Sequence, residues 1–600
     1  MTLSLLFDAA NLGLQYGLLA VGVFLSFRIL QVPDLTVDGS FCLGMAVAAV
    51  MSVAGHPVAG LVCGALAGGL AGVVTGFLMT KARINPLLAG IITMTGLYTV
   101  NITVLGGPNV SLISAPKAYA SLRGLASSAL GLTLDKDMAR FVLALLVTAV
   151  VIALLALFFR TELGLSVRAT GDNESMVRAS SINADAMKVG TIALSNAMVG
   201  LSGALLAQYQ GFADVSSGSG MIVIGLASVI IGELFGGRRS VTAGLVCAVV
   251  GSVVYRVIIQ VALSLDVLNA NSLKLVSAVI VALFLAAPAF ASSVRRRRQR
   301  HARRRQAPAG PDADAGRAEA QGAGAPEAGE PAMVEVRDVT KTFGAGTALE
   351  HEVLRGVSLT LRPGEFACMI GSNGAGKSTL LNAIAGEFLT DGGSIVVGGR
   401  DVTFDPDFRR ARSVSRVFQD PMRGTSPNLT VAENVALAYL RSRGNGHADL
   451  RFAMSKSNRA FIREQLAGLG FGLEERLDDK VGLLSGGQRQ AVSLLMCTIG
   501  SPDLLLLDEH TAALDPLAAE RVMQLTQRIV RERGIATIMV THNMGQALSV
   551  GDRTLVMDEG RIVADVSSAE RAGMGVDDLL ALYRSRTGEE LDSDEVLLSE

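Results

Sequence analysis

Cysteine is scarce. The chain has five in 600 residues, Cys42, Cys63, Cys247, Cys368 and Cys497, far apart inside apolar runs and never in C-x-x-C spacing. That pattern offers neither a disulfide framework nor a metal site and leaves the thiols as small packing residues. Excess charge is lacking too: a formal net charge of -1 argues against a dedicated nucleic-acid binder. The N-terminus lacks the basic stretch of a cleaved secretory signal. Asp8 stands there instead, and no small-residue cleavage site follows the apolar run 12–30. His56, His301, His351 and His447 have no visible partner constellation and read as loop or surface residues.

What the chain has in abundance is apolar sequence. Half of the residues are hydrophobic and the mean hydropathy is +0.43, which points to a membrane portion. The run 12–30 would make a helix of about 29 Å, matching a bilayer core. Composition divides the chain into an apolar membrane domain (1–293), a linker that is arginine-rich and then rich in Ala, Gly and Pro (294–333), a soluble domain (334–584) and an acidic tail (585–600). Spans are predicted at 12–30, 41–55, 58–79, 84–105, 140–159, 189–208, 221–235, 241–261 and 273–290. The short run 41–55 could be re-entrant, so the expectation is an all-α membrane domain of about eight to ten helices. Small residues in ALAGGLAGVVTG (65–76) predict close helix packing.

Basic residues place Arg28, Lys81, Arg83, the segment 160–188 and the pair Arg238 and Arg239 on the cytoplasmic side. The run RRRRQRHARRR (295–305) fixes the end of the membrane domain there and reads as a lipid-headgroup anchor rather than a nucleic-acid site. With nine spans the N-terminus lies outside, with eight inside. The stretch after the arginines cannot bury a core and reads as a flexible tether.

The soluble part carries chemistry. GSNGAGKST, comprising Gly371, Ser372, Asn373, Gly374, Ala375, Gly376, Lys377, Ser378 and Thr379, follows a strand-like run and precedes a helical one. Its glycines let backbone N–H groups wrap phosphates, Lys377 can reach the β- and γ-phosphates, and Ser378 can ligate Mg²⁺. Downstream, LLLLDE (504–509) reads as a buried strand ending in Asp508, placed to hold Mg²⁺ through water. Glu509 is the candidate general base. The two motifs together imply an α/β P-loop nucleoside triphosphatase that uses Mg²⁺.

LSGGQRQ (484–490) resembles the signature of ABC ATPases. The resemblance covers 334–584 and implies that Ser485, Gly486, Gly487 and Gln488 contact ATP held by a second copy. It also makes Phe343 the aromatic that stacks on adenine, Gln419 the glutamine that senses metal and water, 511–515 the D-loop and His542 the switch histidine. D-E-H-T departs from the frequent D-E-P-T, with His510 in the proline position. Stretches 33–41, 84–98 and 193–233 resemble permeases of the branched-chain amino-acid importer superfamily. That resemblance implies import of an amino acid or related solute by a homodimer in the cell membrane, its motor cytoplasmic, served by a separate extracytoplasmic solute-binding protein. It also makes the segment 165–188, with Arg168, Gly171, Asn173 and Ile182, a coupling element. The rival readings are an exporter or flippase, and a membrane-bound regulatory ATPase that moves nothing. Within the spans, Asn85, Thr93, Thr95, Tyr98, Asn101, Asn196 and Gln208 could line a path or tie helices together. Arg256 could meet a substrate carboxylate or an acid such as Glu233.

Overall fold

A computed structural model describes residues 3–130, 135–236, 240–264, 332–343, 350–442 and 451–587. The predicted span 273–290, the arginine run, the tether and most of the acidic tail lie outside them. Contacts separate a membrane unit, whose described residues fall within Met1–Phe159 and Asp185–Ala318, from a second unit within Arg160–Ala184 and Glu319–Glu600.

In the membrane unit, α1 (Leu3–Gln15) and α2 (Gly17–Val23) run into a π-helical turn, Phe24–Ile29, and form one interrupted span. Next come α3 (Val37–Val53), α4 (Pro57–Thr80), α5 (Pro86–Leu105), α6 (Ala118–Leu130) and α7 (Lys136–Phe158). The helices α8 (Glu162–Asp172) and α9 (Glu174–Ala179) belong to the second unit, and α10 (Ala184–Gln210), α11 (Met221–Leu234) and α12 (Val241–Ser264) complete the first. Among the described residues seven segments are long and apolar enough to cross a membrane, and α3 is a shorter apolar helix. Proline at the first position starts α4 and α5, where no N–H partner is needed.

Helix α4 shows why the bundle packs. Gly64, Gly68, Gly72 and Gly76 fall four residues apart on one face. A Cβ on Gly68 would lie 2.4 Å from the Asn196 carbonyl oxygen, and one on Gly72 2.5 Å from that of Ile192. Only glycine lets the two backbones of α4 and α10 approach so closely. The opposite face turns outward, with Leu66 and Leu70 more than 60% exposed, as a lipid-facing surface requires.

The polar residues within the spans mostly tie helices. The Asn101 amide donates to the Gly39 carbonyl at 3.2 Å, Asn196 to Asp34 at 2.6 Å and Gln208 to the Pro57 carbonyl at 2.7 Å. Thr93 and Thr95 bond back along their own helix, Asn85 caps α5, and Tyr98 is exposed. The expected Arg256–Glu233 pair is not formed. Glu233 binds Arg28 with both carboxylate oxygens, while the Arg256 guanidinium lies 3.8 Å from the Tyr16 ring centre.

The second unit carries two sheets. Strands β3 (Val334–Phe343), β4 (His351–Leu361), β6 (Gly392–Val397) and β7 (Arg400–Asp401) form an antiparallel sheet in the order 4-3-6-7; β1 (Asn109–Ser111) and β2 (Phe212–Asp214) pair separately in the membrane unit. Strands β5 (Phe366–Ile370), β8 (Val414–Val417), β9 (Leu504–Asp508), β10 (Ala536–Val540), β11 (Arg553–Asp558) and β12 (Arg561–Val566) form the central sheet, ordered 12-11-5-10-9-8 and parallel except at β12. The four leucines of β9 are fully buried, as a strand covered on both faces demands. Parallel strands deliver their C-terminal ends to one edge, so β5, β8, β9 and β10 open their loops on the same side.

Candidate ATP site and docking segment

The phosphate-binding loop joins β5 to the helix Lys377–Ala385. Gly374 and Gly376 turn it with φ of +90° and +97°, the left-handed region that glycine adopts without strain. A Cβ on Gly371 would sit 2.1 Å from the Met557 carbonyl oxygen, so β11 walls the loop closely. The Lys377 ammonium donates to the carbonyls of Gly371 and Ser372 at 2.7 and 2.9 Å. It therefore lies folded inside the loop that it would share with phosphate. The open backbone amides and the helix N-terminus make the loop a site for anions.

Three further loops converge beside it. Ser378 Oγ lies 3.4 Å from Asp508 Oδ1. A hydroxyl facing a carboxylate at this range is an oxygen-donor set that suits Mg²⁺. Glu509 follows Asp508 with φ of +45°, a left-handed conformation costing a non-glycine residue about 1 kcal/mol or more. The Gln419 amide, from the loop after β8, donates to Glu509 Oε2 at 3.0 Å, and His542 Nε2, from the loop after β10, lies 2.5 Å from Oε1. Because β9 runs between β8 and β10, these side chains grip the carboxylate from both sides. The hydrogen bond to His542 holds the Glu509 carboxyl below its ordinary range, against the opposing effect of partial burial. Glu509 is thus an ionised carboxylate held in one orientation.

Phe343 ends β3, is 41% exposed, and packs its ring edge-on against Phe388 at 5.3 Å. Ser485 caps the helix Gly486–Thr498 in a reciprocal capping box with Gln488, whose side-chain oxygen also accepts from Arg476. Ser485 and Gly486 are exposed and Gly487 is buried. Asp515 caps the helix Pro516–Arg533. His510 is buried, with Nε2 3.2 Å from Thr526 Oγ1. That hydroxyl donates its proton to the Val522 carbonyl, so His510 Nε2 carries a hydrogen and donates. Burial pushes the imidazole down to about 4, so it is a neutral core residue at pH 7.

The segment Arg160–Ala184 folds into α8 and α9 within this unit. Arg168 pairs with Glu433 at 2.8 Å. Asp172 accepts from the Asn428 backbone at 2.9 Å. The Asn173 amide donates to the carbonyls of Met422, Arg423 and Thr425 at 2.7 to 3.2 Å, closing the end of the short helix Pro421–Gly424 just beyond Gln419. Met176, Val177 and Ile182 are buried. Arg168 and Asn173 dock on ATPase residues as expected for this segment; Gly171 makes no side-chain contact by its nature.

Sequence reading passed over Arg416, three residues before Gln419. Its guanidinium binds Asp508 Oδ2 at 2.7 Å and Glu387 at 2.8 Å. The run RVFQD was visible, but nothing in it says which strand lies beside it.

Residues 5–288 match the branched-chain amino acid transport system permease component family, and residues 354–512 match the ABC transporter family. A tyrosine transport ATP-binding protein of Clostridioides difficile is 41% identical over 251 residues, 42% of this chain and 98% of its own length. A tyrosine transport system permease protein of the same strain is 34% identical over 270 residues, 45% of this chain and 86% of its own. A solved ATP-binding cassette, described as a dimeric post-hydrolysis state bound to ADP and Pi, aligns with 39% of this chain and 99% of its own at 28% identity and a TM-score of 0.35. The chain thus belongs to the ABC transporters, as a multi-pass membrane permease of the branched-chain amino-acid transport type fused to an ATPase domain that couples ATP hydrolysis to transport.

Proposed function

We propose that the chain is a half-transporter that works as a homodimer and imports an amino acid, tyrosine or a close analogue, delivered by a separate solute-binding protein. One observation carries this reading: the two halves resemble a tyrosine transport system permease protein and a tyrosine transport ATP-binding protein of the same strain. The chain has one phosphate-binding loop and one signature serine, so two copies supply two of each.

In this reading Phe343 stacks on adenine, and the loop 371–379 with Lys377 holds the phosphates. Ser378, Gln419 and Asp508 hold Mg²⁺, which neutralises phosphate charge when bound. Glu509 takes the proton of the attacking water, while His542 and Gln419 fix its carboxylate. Ser485, Gly486, Gly487 and Gln488 close on the nucleotide of the other copy. The docking segment 160–184 carries the movement of Gln419 to α7 and α10, with which it is continuous in sequence.

The test is uptake of labelled tyrosine into proteoliposomes loaded with ATP and Mg²⁺, with secreted solute-binding proteins from neighbouring genes supplied outside. The expected outcome is accumulation by particles of two chains, lowered by at least about a hundredfold in Glu509→Gln or Lys377→Ala. Expulsion of solute would favour the exporter, and hydrolysis without any flux the regulatory ATPase.

A further inference from the structure

We infer that Arg416 is a positioning residue for hydrolysis: it fixes Asp508 so that one carboxylate oxygen faces Ser378 and the metal position. The inference rests on the proposed role of Asp508 as a metal-water ligand.

Strand register places it. In the parallel pair β8–β9, Arg416 lies opposite Leu506. Side chains alternate along a strand, so Arg416 emerges on the face that Asp508 shares with Leu506. The helix Lys377–Ala385 contributes Asn382 and Ser378 to the same cluster. The guanidinium side chain is 9% exposed and spends its donors on three partners: Asp508 Oδ2, Glu387 and Asn382. Its fourth neighbour is the Phe418 ring, whose centre lies 5.0 Å away, and Arg423 approaches that ring at 5.0 Å as well.

This arrangement divides the work of the carboxylate. Oδ2 is committed to Arg416, which leaves the lone pairs of Oδ1 toward Ser378 Oγ. A carboxylate at a strand end could otherwise rotate about χ2, whose profile is broad. It could then turn toward the cationic Lys377 and lose its alignment. Arg416 also supplies a positive charge where Glu387 and Asp508 bring two carboxylates together, and only a guanidinium offers the planar fork that holds both at once. Through Phe418 and Arg423 the same residue is linked to the helix that Asn173 closes, so a shift of the docking segment bears on the orientation of Asp508.

The experiment uses the full-length transporter with Arg416→Met, which keeps the apolar stem, and Arg416→Lys, which restores a single charge. Three readings are taken: fluorescent-ATP binding in EDTA, the divalent-ion dependence of hydrolysis, and the spectrum of bound Mn²⁺. The expected result for R416M is unchanged nucleotide binding in EDTA, a Mg²⁺ requirement raised roughly tenfold or more, lower kcat at near-constant KM for ATP, and an altered Mn²⁺ signal, with partial recovery in R416K. Wild-type Mg²⁺ dependence in R416M would overturn the inference. So would equal loss of EDTA-state nucleotide binding in both variants, which would make the residue structural. Failure of the reading of Asp508 itself is distinguished by Asp508→Asn, which would then leave the Mg²⁺ requirement and Mn²⁺ signal untouched.

Discussion

His510 stands directly after Glu509, in the place that proline takes in the pattern D-E-P-T. Its imidazole is enclosed and donates to Thr526, so accepting a proton means placing a charge in the core. Unfolded, the group titrates near 6.5; folded, only near about 4. The folded state therefore binds fewer protons, and this contribution to stability is complete above pH 6.5 and lost as pH falls toward 4, about 3 kcal/mol over the whole interval. His510→Leu is expected to flatten the acid side of the stability profile. Between pH 7 and pH 5 its Tm should fall by a few degrees less than that of the native protein. Thermal unfolding across that range checks this, and parallel slopes for the two proteins would refute it. Much of the site at this scale was legible. The phosphate loop, Asp508, Glu509 and His542 stand in motifs whose chemistry depends on local spacing. The left-handed backbone of Glu509 and the grip of Arg416 were not, because they arise from which strands become neighbours.

At the scale of the element, the glycine face of α4 sets how near α10 can come. Gly72→Leu would drive a side chain into the backbone at Ile192, and overpacking of this kind costs roughly 3 kcal/mol or more. The variant should lose monodispersity in detergent and unfold at lower temperature, whereas Gly96→Ala, where nothing lies within 4 Å, should behave as the parent. Size-exclusion chromatography with thermal unfolding decides between these outcomes. The sequence run ALAGGLAGVVTG announced close packing, and the helices appeared near their expected places. Two features were hidden. The first span begins earlier than hydropathy indicated and is broken at Tyr16, and α3 starts at Val37 rather than at 41. Hydropathy sums over a window, so it blurs breaks and polar starts. Partner choice was hidden as well: Glu233, one of the acids that Arg256 could meet, pairs instead with Arg28, 205 residues away.

At the scale of the whole molecule, the relatives named above place permease and ATPase on separate chains, while here they are one. The chain leaves the membrane unit after Phe159, re-enters it at Asp185 and leaves it again further on. The stretch in between is seated among ATPase residues by Arg168, Asp172 and Asn173. Those contacts join segments that lie on either side of the linker 294–333 in the sequence. Expressing residues 1–310 and 311–600 as two polypeptides should thus give fragments that co-purify and hydrolyse ATP within a fewfold of the intact protein. If they emerge from affinity purification apart, the tether is what keeps them together.

The three amide contacts of Asn173 have a wider consequence. The Asn173 amide closes the helix Pro421–Gly424 together with the Thr425 hydroxyl, which donates to Pro421, and that helix begins directly after the loop bearing Gln419. Power transmission through this joint would resemble a pin seated in a socket, with the pin helping to hold the socket's shape. A motor built this way would idle when its membrane partner is withdrawn, and an unproductive burn of nucleotide would be curbed by the same joint that delivers the stroke.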